Sequence, residues 1–190
     1  MLDLWLVRHA ESLGNLDGSE ADTCLSPRGR LQAAALAPVL AGESFDSVLS
    51  SPLQRALETA ALALPGRAVL HASDLRELVV EPDRFVDVSR LTPAQLRDIL
   101  RPPADVPPNE TGKQFMTRVR SWLTALPPSG RVLAVTHAGV VRELLRVLFP
   151  DLTRTQPVGH AAISRVSITA GAPRLVMLDE RRHLESLRPT

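Results

Sequence analysis

The sequence predicts an α/β fold, a three-layer α/β/α sandwich around a mostly parallel central sheet. Three observations carry that expectation. Short β-type runs alternate with helical patterns along the chain, the order that builds parallel sheets through crossover helices. Several runs are almost continuously apolar, as strands covered on both faces must be. Helices begin at Ser-Pro and Thr-Pro pairs, where a capping hydroxyl precedes a proline at the first helical position.

The elements follow in order. Leu2–Val7 is the first strand, and Ser26-Pro27 opens a helix running to about Leu40. Asp46–Ser50 is the second strand. Ser51-Pro52-Leu53-Gln54 then offers a cap and a glutamine placed to close a capping box. Leu53, Ala56, Leu57, Ala60, Ala61 and Leu64 form the apolar stripe of that helix, and Arg55 lies off it. Ala68–His71 reads as a third strand. Thr92-Pro93-Ala94-Gln95 repeats the capping pattern, and Thr111 with Gln114 makes a further box that Gly112 weakens. Val132–Thr136 is a strand, Gly139–Leu148 a short buried helix, and Ile163–Ile168 and Arg174–Leu178 close the sheet. Proline pairs at 102–103, 107–108 and 127–128 mark loops. No repeat is present, and residues 1–190 read as one domain.

Composition narrows the function classes. At 44% apolar and 23% charged, the 190 residues suit a packed core and exclude a disordered or fibrous chain. The net charge is +1 with basic residues dispersed, and there is no Tyr to stack on bases, so no nucleic-acid partner is expected. Cys24 stands alone, which excludes an internal disulfide and a zinc site of paired thiolates. The apolar start is too short for a signal segment, and no stretch reaches the length of a membrane span. A cytoplasmic protein with no membrane partner is the expectation. Oligomeric state leaves no trace in the sequence.

The chemistry collects after strands. Arg8 and His9 end the first strand, with Ser12 and Asn15 just beyond. In parallel α/β sheets, ligands gather at the carboxyl ends of strands. An arginine fork binds phosphate through parallel charge-assisted hydrogen bonds, and a neutral imidazole can attack phosphorus. Arg55 falls in the first turn of the helix after the second strand, where backbone amides already favour an anion. Thr136-His137-Ala138-Gly139 follows the fourth strand, offering an imidazolium and free amides to the same anion. Three strand ends thus supply cationic groups to one place. His71, His160 and His183 have no such context and read as structural or exposed; Arg181-Arg182 reads as a solvated tail, and Asp17–Asp22 as an acidic loop able to edge the pocket.

Taken together, Leu6-Val-Arg8-His9-Ala-Glu-Ser12, Leu25-Ser-Pro-Arg-Gly29-Arg-Leu-Gln32, Ser50-Ser-Pro-Leu-Gln-Arg55-Ala-Leu-Glu-Thr59, Leu75-Arg-Glu77 and Thr136-His137-Ala-Gly139 resemble the histidine phosphatase superfamily, also called phosphoglycerate mutase-like. The resemblance runs from residue 4 to about 145. It implies a phosphohistidine on His9, with Arg8, Arg55 and His137 holding the transferring phosphoryl group. It further implies Asn15, with Ser12, Ala138 and Gly139, on the substrate side, and Glu77 as proton donor to the leaving alcohol. Phosphoryl transfer rests mainly on positioning and charge stabilisation, so no metal or cofactor is expected. The implied activity is hydrolysis of a small phosphomonoester; a phosphomutase and a silent phospho-ligand-binding module are the alternatives. Two departures bear on this. Ala10 stands where glycine is common, and the Trp-Glu-Gly segment that usually follows the acid in mutase-like members is replaced by Leu78-Val-Val-Glu81-Pro-Asp83. Glu81 and Asp83 are therefore further candidates for the acid.

Overall fold

The sheet order is β3-β2-β4-β1-β5-β6, seen in a computed structural model that describes residues 1–17, 22–78, 110–152 and 157–187. Its strands are β1 (Leu2–Arg8), β2 (Ser47–Ser50), β3 (Leu70–His71), β4 (Gly130–Thr136), β5 (Ile163–Thr169) and β6 (Ala172–Glu180). The described helices are α1 (Leu13–Asp17), α2 (Pro27–Ala41), α3 (Gln54–Ala63), α4 (Gly112–Thr124) and α5 (Ala138–Leu148). β3, β2, β4 and β1 run parallel, whereas β5 is antiparallel to β1 and β6 to β5. Only Ala170 and Gly171 separate β5 from β6, both at positive φ (50° and 80°). A two-residue connection with that twist makes a hairpin, and a hairpin is antiparallel.

Alternation along the strands sorts the core into two layers. Trp5, Val7, Leu133 and Val135 face α2 and α3, packing with Leu36, Leu40, Ala56 and Ala60. Leu2, Leu4, Leu6, Val132 and Ala134 face the other way, onto Phe115, Val119, Trp122, Val140 and Leu144 of α4 and α5. Helices therefore cover both faces, which is why the central strands are apolar at most positions. The expected three-layer arrangement is the one found.

Registry brings three strand ends to a single edge. Arg8 lies opposite Thr136, and Ser50 opposite Val135. The residues that follow, His9, Ser51 and His137, emerge side by side. Because β5 runs the other way, its beginning lies at that edge too, with Ile163 beside Val7.

Helix starts agree with the sequence in two cases and depart in one. Ser26 caps α2 by accepting from the Gly29 amide at 2.9 Å, and Thr111 with Gln114 forms the complete capping box of α4 despite Gly112. The Ser51 box does not form. α3 starts at Gln54 with Leu53 as its uncapped N-cap, because the Ser51 hydroxyl lies 2.8 Å from His137 Nε2. The third strand shrinks to two residues, and α1 was not anticipated. The helix expected after Thr92 and the proline pairs at 102–103 and 107–108 lie outside the described residues. Among those described, no helix is long and apolar enough to cross a membrane.

Candidate active site

The nucleophile candidate is fixed before any ligand arrives. His9 is 3% exposed, and its Nδ1 lies 2.7 Å from the Ala10 carbonyl. A carbonyl can only accept, so Nδ1 carries the proton and Nε2 keeps its lone pair. The backbone is held from several sides. The His9 amide donates to Thr136 O at 2.7 Å, and the Ala161 amide to His9 O at 3.3 Å. Thr59 Oγ1 accepts from the Ala10 amide at 3.0 Å and donates to Arg55 O at 2.7 Å, tying the nucleophile loop to the helix that carries Arg55.

α2 clamps the next residue. Glu11 O accepts from the Ser26 amide, Glu11 Oε1 from the Ser26 hydroxyl at 2.6 Å, and the Glu11 amide donates to Gln32 Oε1 at 3.0 Å. Gly29 presses so closely that a Cβ there would fall 1.8 Å from Glu11 O. The Ser-Pro-Arg-Gly-Arg-Leu-Gln segment thus acts through the backbone of the His9 loop.

Cations surround His9. Arg8 Nη1 donates to Val158 O at 2.7 Å, and Nη2 lies 2.8 Å from His160 Nε2. Its Nε is buried with no hydrogen-bond partner among the described residues. Arg55 is 7% exposed and pairs with Asp22 at 3.5 Å, so a residue expected off the core is in fact covered. His137 is fully buried, with ring centroids 5.0 Å from His9. Burial, His137, Arg55 and Arg8 together hold His9 well below the usual histidine range, against the pull of the Ala10 carbonyl. Burial, then Arg55, Arg8 and Arg118, do the same to His137. The sequence suggested a histidinium at 137; here the neutral ring prevails, because desolvation and nearby guanidiniums disfavour a further charge. A bound dianion would reverse that balance.

A second carboxylate at this edge, besides Asp22, is Glu77. Thr136 Oγ1 donates to Leu75 O at 2.7 Å, fastening the Glu77 segment to the end of β4. Glu77 Oε2 accepts from the Gly139 amide and Oε1 from its neighbour Leu78, each at 3.0 Å. A Cβ on Gly139 would lie 2.2 Å from Glu77 Oε1, so only glycine admits the carboxylate there. The Gly139 amide, expected to face substrate, is occupied by Glu77, while half-buried Ala138 begins α5. Ser12 is likewise engaged: its amide and hydroxyl both donate to Asn15 Oδ1, at 3.0 and 2.9 Å. Asn15 is exposed and turns the chain after the nucleophile loop. Glu81 and Asp83 lie outside the described residues.

His160 is the site residue that sequence reasoning missed. Its ring lies 5.7 Å from that of His9, and it partners Arg8. The strand-end rule looks to carboxyl ends, but β5 is antiparallel and presents the residues before it. Recognising the Ala-Gly hairpin would have placed Gly159-His160 at the working edge. Arg181 is exposed, as read, and also pairs with Asp179 at 2.9 Å.

The sequence pattern of the histidine phosphatase superfamily (branch 1) matches residues 4–181. The chain is 34% identical to the adenosylcobalamin/alpha-ribazole phosphatase of Escherichia coli over 163 residues, covering 75% of this chain and 76% of that one. The crystal structure of the alpha-ribazole phosphatase from Shigella flexneri superposes with a TM-score of 0.73 at 29% identity, covering 94% of this chain and 96% of the other. A 2,3-bisphosphoglycerate-dependent phosphoglycerate mutase of Nitrosomonas europaea is 26% identical, covering 93% of this chain and 92% of its own.

Proposed function

The chain belongs to the histidine phosphatase superfamily, and from that premise we propose that it is a metal-independent phosphomonoester phosphatase working through a phosphohistidine on His9. One observation carries the reading. His9 has its proton fixed on Nδ1 by the Ala10 carbonyl, leaving a neutral Nε2 among the positive groups Arg8 and Arg55. Such a nitrogen attacks phosphorus while the guanidiniums gather charge on the equatorial oxygens. The P–O bond to the alcohol breaks as the N–P bond forms, and Glu77 supplies the proton the alkoxide needs. Water then attacks the phosphorus and gives its proton to the Glu77 carboxylate as the N–P bond breaks, which returns the lone pair to Nε2 and restores the acid. Arg8, Arg55 and His137 hold the phosphoryl group throughout, with Asn15 and Ser12 toward the substrate body.

The substrate in this reading is a small phosphorylated metabolite, handled by residues 1–190 as one domain in the cytoplasm. The phosphatase relative at 34% identity supports hydrolysis over isomerisation, as does the missing Trp-Glu-Gly segment. The mutase remains the rival because one relative has that activity. Rapid quenching during turnover should trap acid-labile, base-stable phosphate on the wild type and none on His9→Ala. Inorganic phosphate should accumulate in step with substrate loss. An isomerised phosphoester as the main product would establish the mutase, and undiminished hydrolysis by His9→Ala would refute the phosphohistidine. Activity should persist after EDTA treatment and dialysis.

A further inference from the structure

We propose that His160 is a positioning residue that orients the phosphate-binding fork of Arg8 without neutralising it; the inference rests on the phosphatase reading above. Arginine has donors only, so the contact between Arg8 Nη2 and His160 Nε2 at 2.8 Å requires the imidazole to accept, with its own proton on Nδ1. The second hold on the fork, Val158 O at 2.7 Å, comes from the same short segment. That segment is itself anchored. The Gly159 amide donates to Asp179 Oδ1 at 2.6 Å, the Arg8 amide to Ala162 O at 3.1 Å, and the Ala161 amide to His9 O at 3.3 Å. Two of the five guanidinium donors are thereby fixed. The buried Nε–H and the remaining Nη hydrogens stay for phosphate.

The choice of partner matters. A carboxylate in place of His160 would orient Arg8 equally well but would discharge it, and the site would then compete with its own ligand. A neutral acceptor orients the cation and adds nothing to the counter-charge that Glu77 and Asp179 already exert on it from nearby. The surroundings keep His160 neutral. Arg8 and His9 face it from the end of β1, and Arg28, Glu11 and Arg181 share with it a cavity of about 280 Å³ between α2 and residues 181–187. Burial first, then Arg8 and Arg28, lower its pKa to about 4, so it remains an acceptor at neutral pH.

Inorganic phosphate is the probe, with its affinity measured by calorimetry on each variant and KM and kcat measured on p-nitrophenyl phosphate. His160→Ala should weaken phosphate about tenfold, the worth of one oriented hydrogen bond to a charged group, and raise KM more than it lowers kcat. His160→Gln keeps a neutral acceptor at the reach of Nε2 and should recover most of that affinity. His160→Glu should bind phosphate more weakly than His160→Gln, by discharging Arg8. In an Arg8→Ala background, His160→Ala should change affinity less than twofold, because the two act as one. Equal losses for Ala and Gln, tighter binding by Glu, or additive losses with Arg8→Ala would overturn the inference. If His160→Ala does not fold, the contrast between Gln and Glu decides alone. Phosphate affinity is read without turnover, so failure to trap a phosphohistidine would count against the proposed function and leave this pattern standing.

Discussion

β1 carries a charge cluster at each end, and the two are built on opposite plans. Near its beginning, Asp3 is 3% exposed and accepts from Arg165 Nε and Nη2 at 2.8 and 2.9 Å, Arg131 Nε at 3.0 Å and Trp5 Nε1 at 3.2 Å. Arg131 passes on to Glu43. Burial pushes the Asp3 carboxyl up, but the hydrogen bonds from Arg165, Trp5 and Arg131 outweigh it and the net direction is down. Every charge there meets its opposite. At the far end, the hydrogen bonds of Arg8 go to a carbonyl and an imidazole, and burial lowers its own pKa to about 10. His9 and His137 are driven neutral beside it. The first cluster closes its charges in direct, close ion pairs, while the second holds Arg8 with neutral acceptors, its counter-charge being the looser Arg55–Asp22 contact at 3.5 Å and the nearby Glu77 carboxylate.

The comparison can be broken most forcefully at Arg8. Arg8→Ala should cut kcat/KM by roughly 10²–10³, the scale of losing a preorganised donor to the transition state. The melting temperature of the ligand-free protein should stay level or rise, since a desolvated cation is removed. A large loss of stability with undiminished specific activity would show that Arg8 is structural.

Next in size is Glu77, the carboxylate that the working end holds through backbone amides. Glu77→Gln should slow alkyl phosphate hydrolysis by roughly 10², within the usual range of general acid catalysis, and p-nitrophenyl phosphate far less. A phenolate leaves without a proton and an alkoxide does not. Gly139→Ala should reproduce the leaving-group dependence in milder form by dislodging the carboxylate. Equal loss on both esters would mean that Glu77 orients phosphate and does not donate the proton.

At the opposite end, Asp3→Asn should spare kcat/KM per folded molecule and cost about 2 kcal/mol of stability. That is below the usual cost of breaking a buried pair, because Arg131 and Arg165 are 29% and 31% exposed. The lowered Asp3 pKa also sets a direction with pH. Its contribution is complete above the unfolded carboxyl pKa of about 4 and is lost as pH falls below it. Unchanged stability in Asp3→Asn would erase the contrast between the two ends.

A further effect is one of slope. His9 and His137 take up protons less readily folded than unfolded, so the unfolded state gains protons first as pH falls below about 6.5. Ligand-free stability should decline from pH 7 toward pH 5, by up to about 1.4 kcal/mol per unit for each histidine. His137→Gln should flatten the decline, and a slope unchanged by that substitution would contradict the neutral assignment.

Much of this was legible in the residues. The apolar runs at 2–7 and 132–136 could only be central strands, and parallel pairing then forced Arg8, His9 and His137 together. The Ser26 and Thr111 caps were readable because their chemistry is local. Ser51 misled for the same reason: its hydroxyl serves a histidine 86 positions away, which no window around residue 51 contains. His160 was hidden by strand direction, which a two-residue hairpin decides. Asn15 and Ser12 could be placed by sequence beside the nucleophile, but not the mutual hydrogen bonds that now occupy them.

The grip of α2 on Glu11 has a consequence for how this protein can be re-engineered. Ser26, Gly29 and Gln32 seize one residue from three directions, and Ser12 and Leu25 pair across the base of the excursion between them. The chain leaves the pocket at residue 12 and returns at residue 25 to nearly the same point. Gly29 admits no substitute, because a side chain there would press on the backbone that carries His9. A combinatorial library aimed at new substrates should therefore leave α2 unaltered.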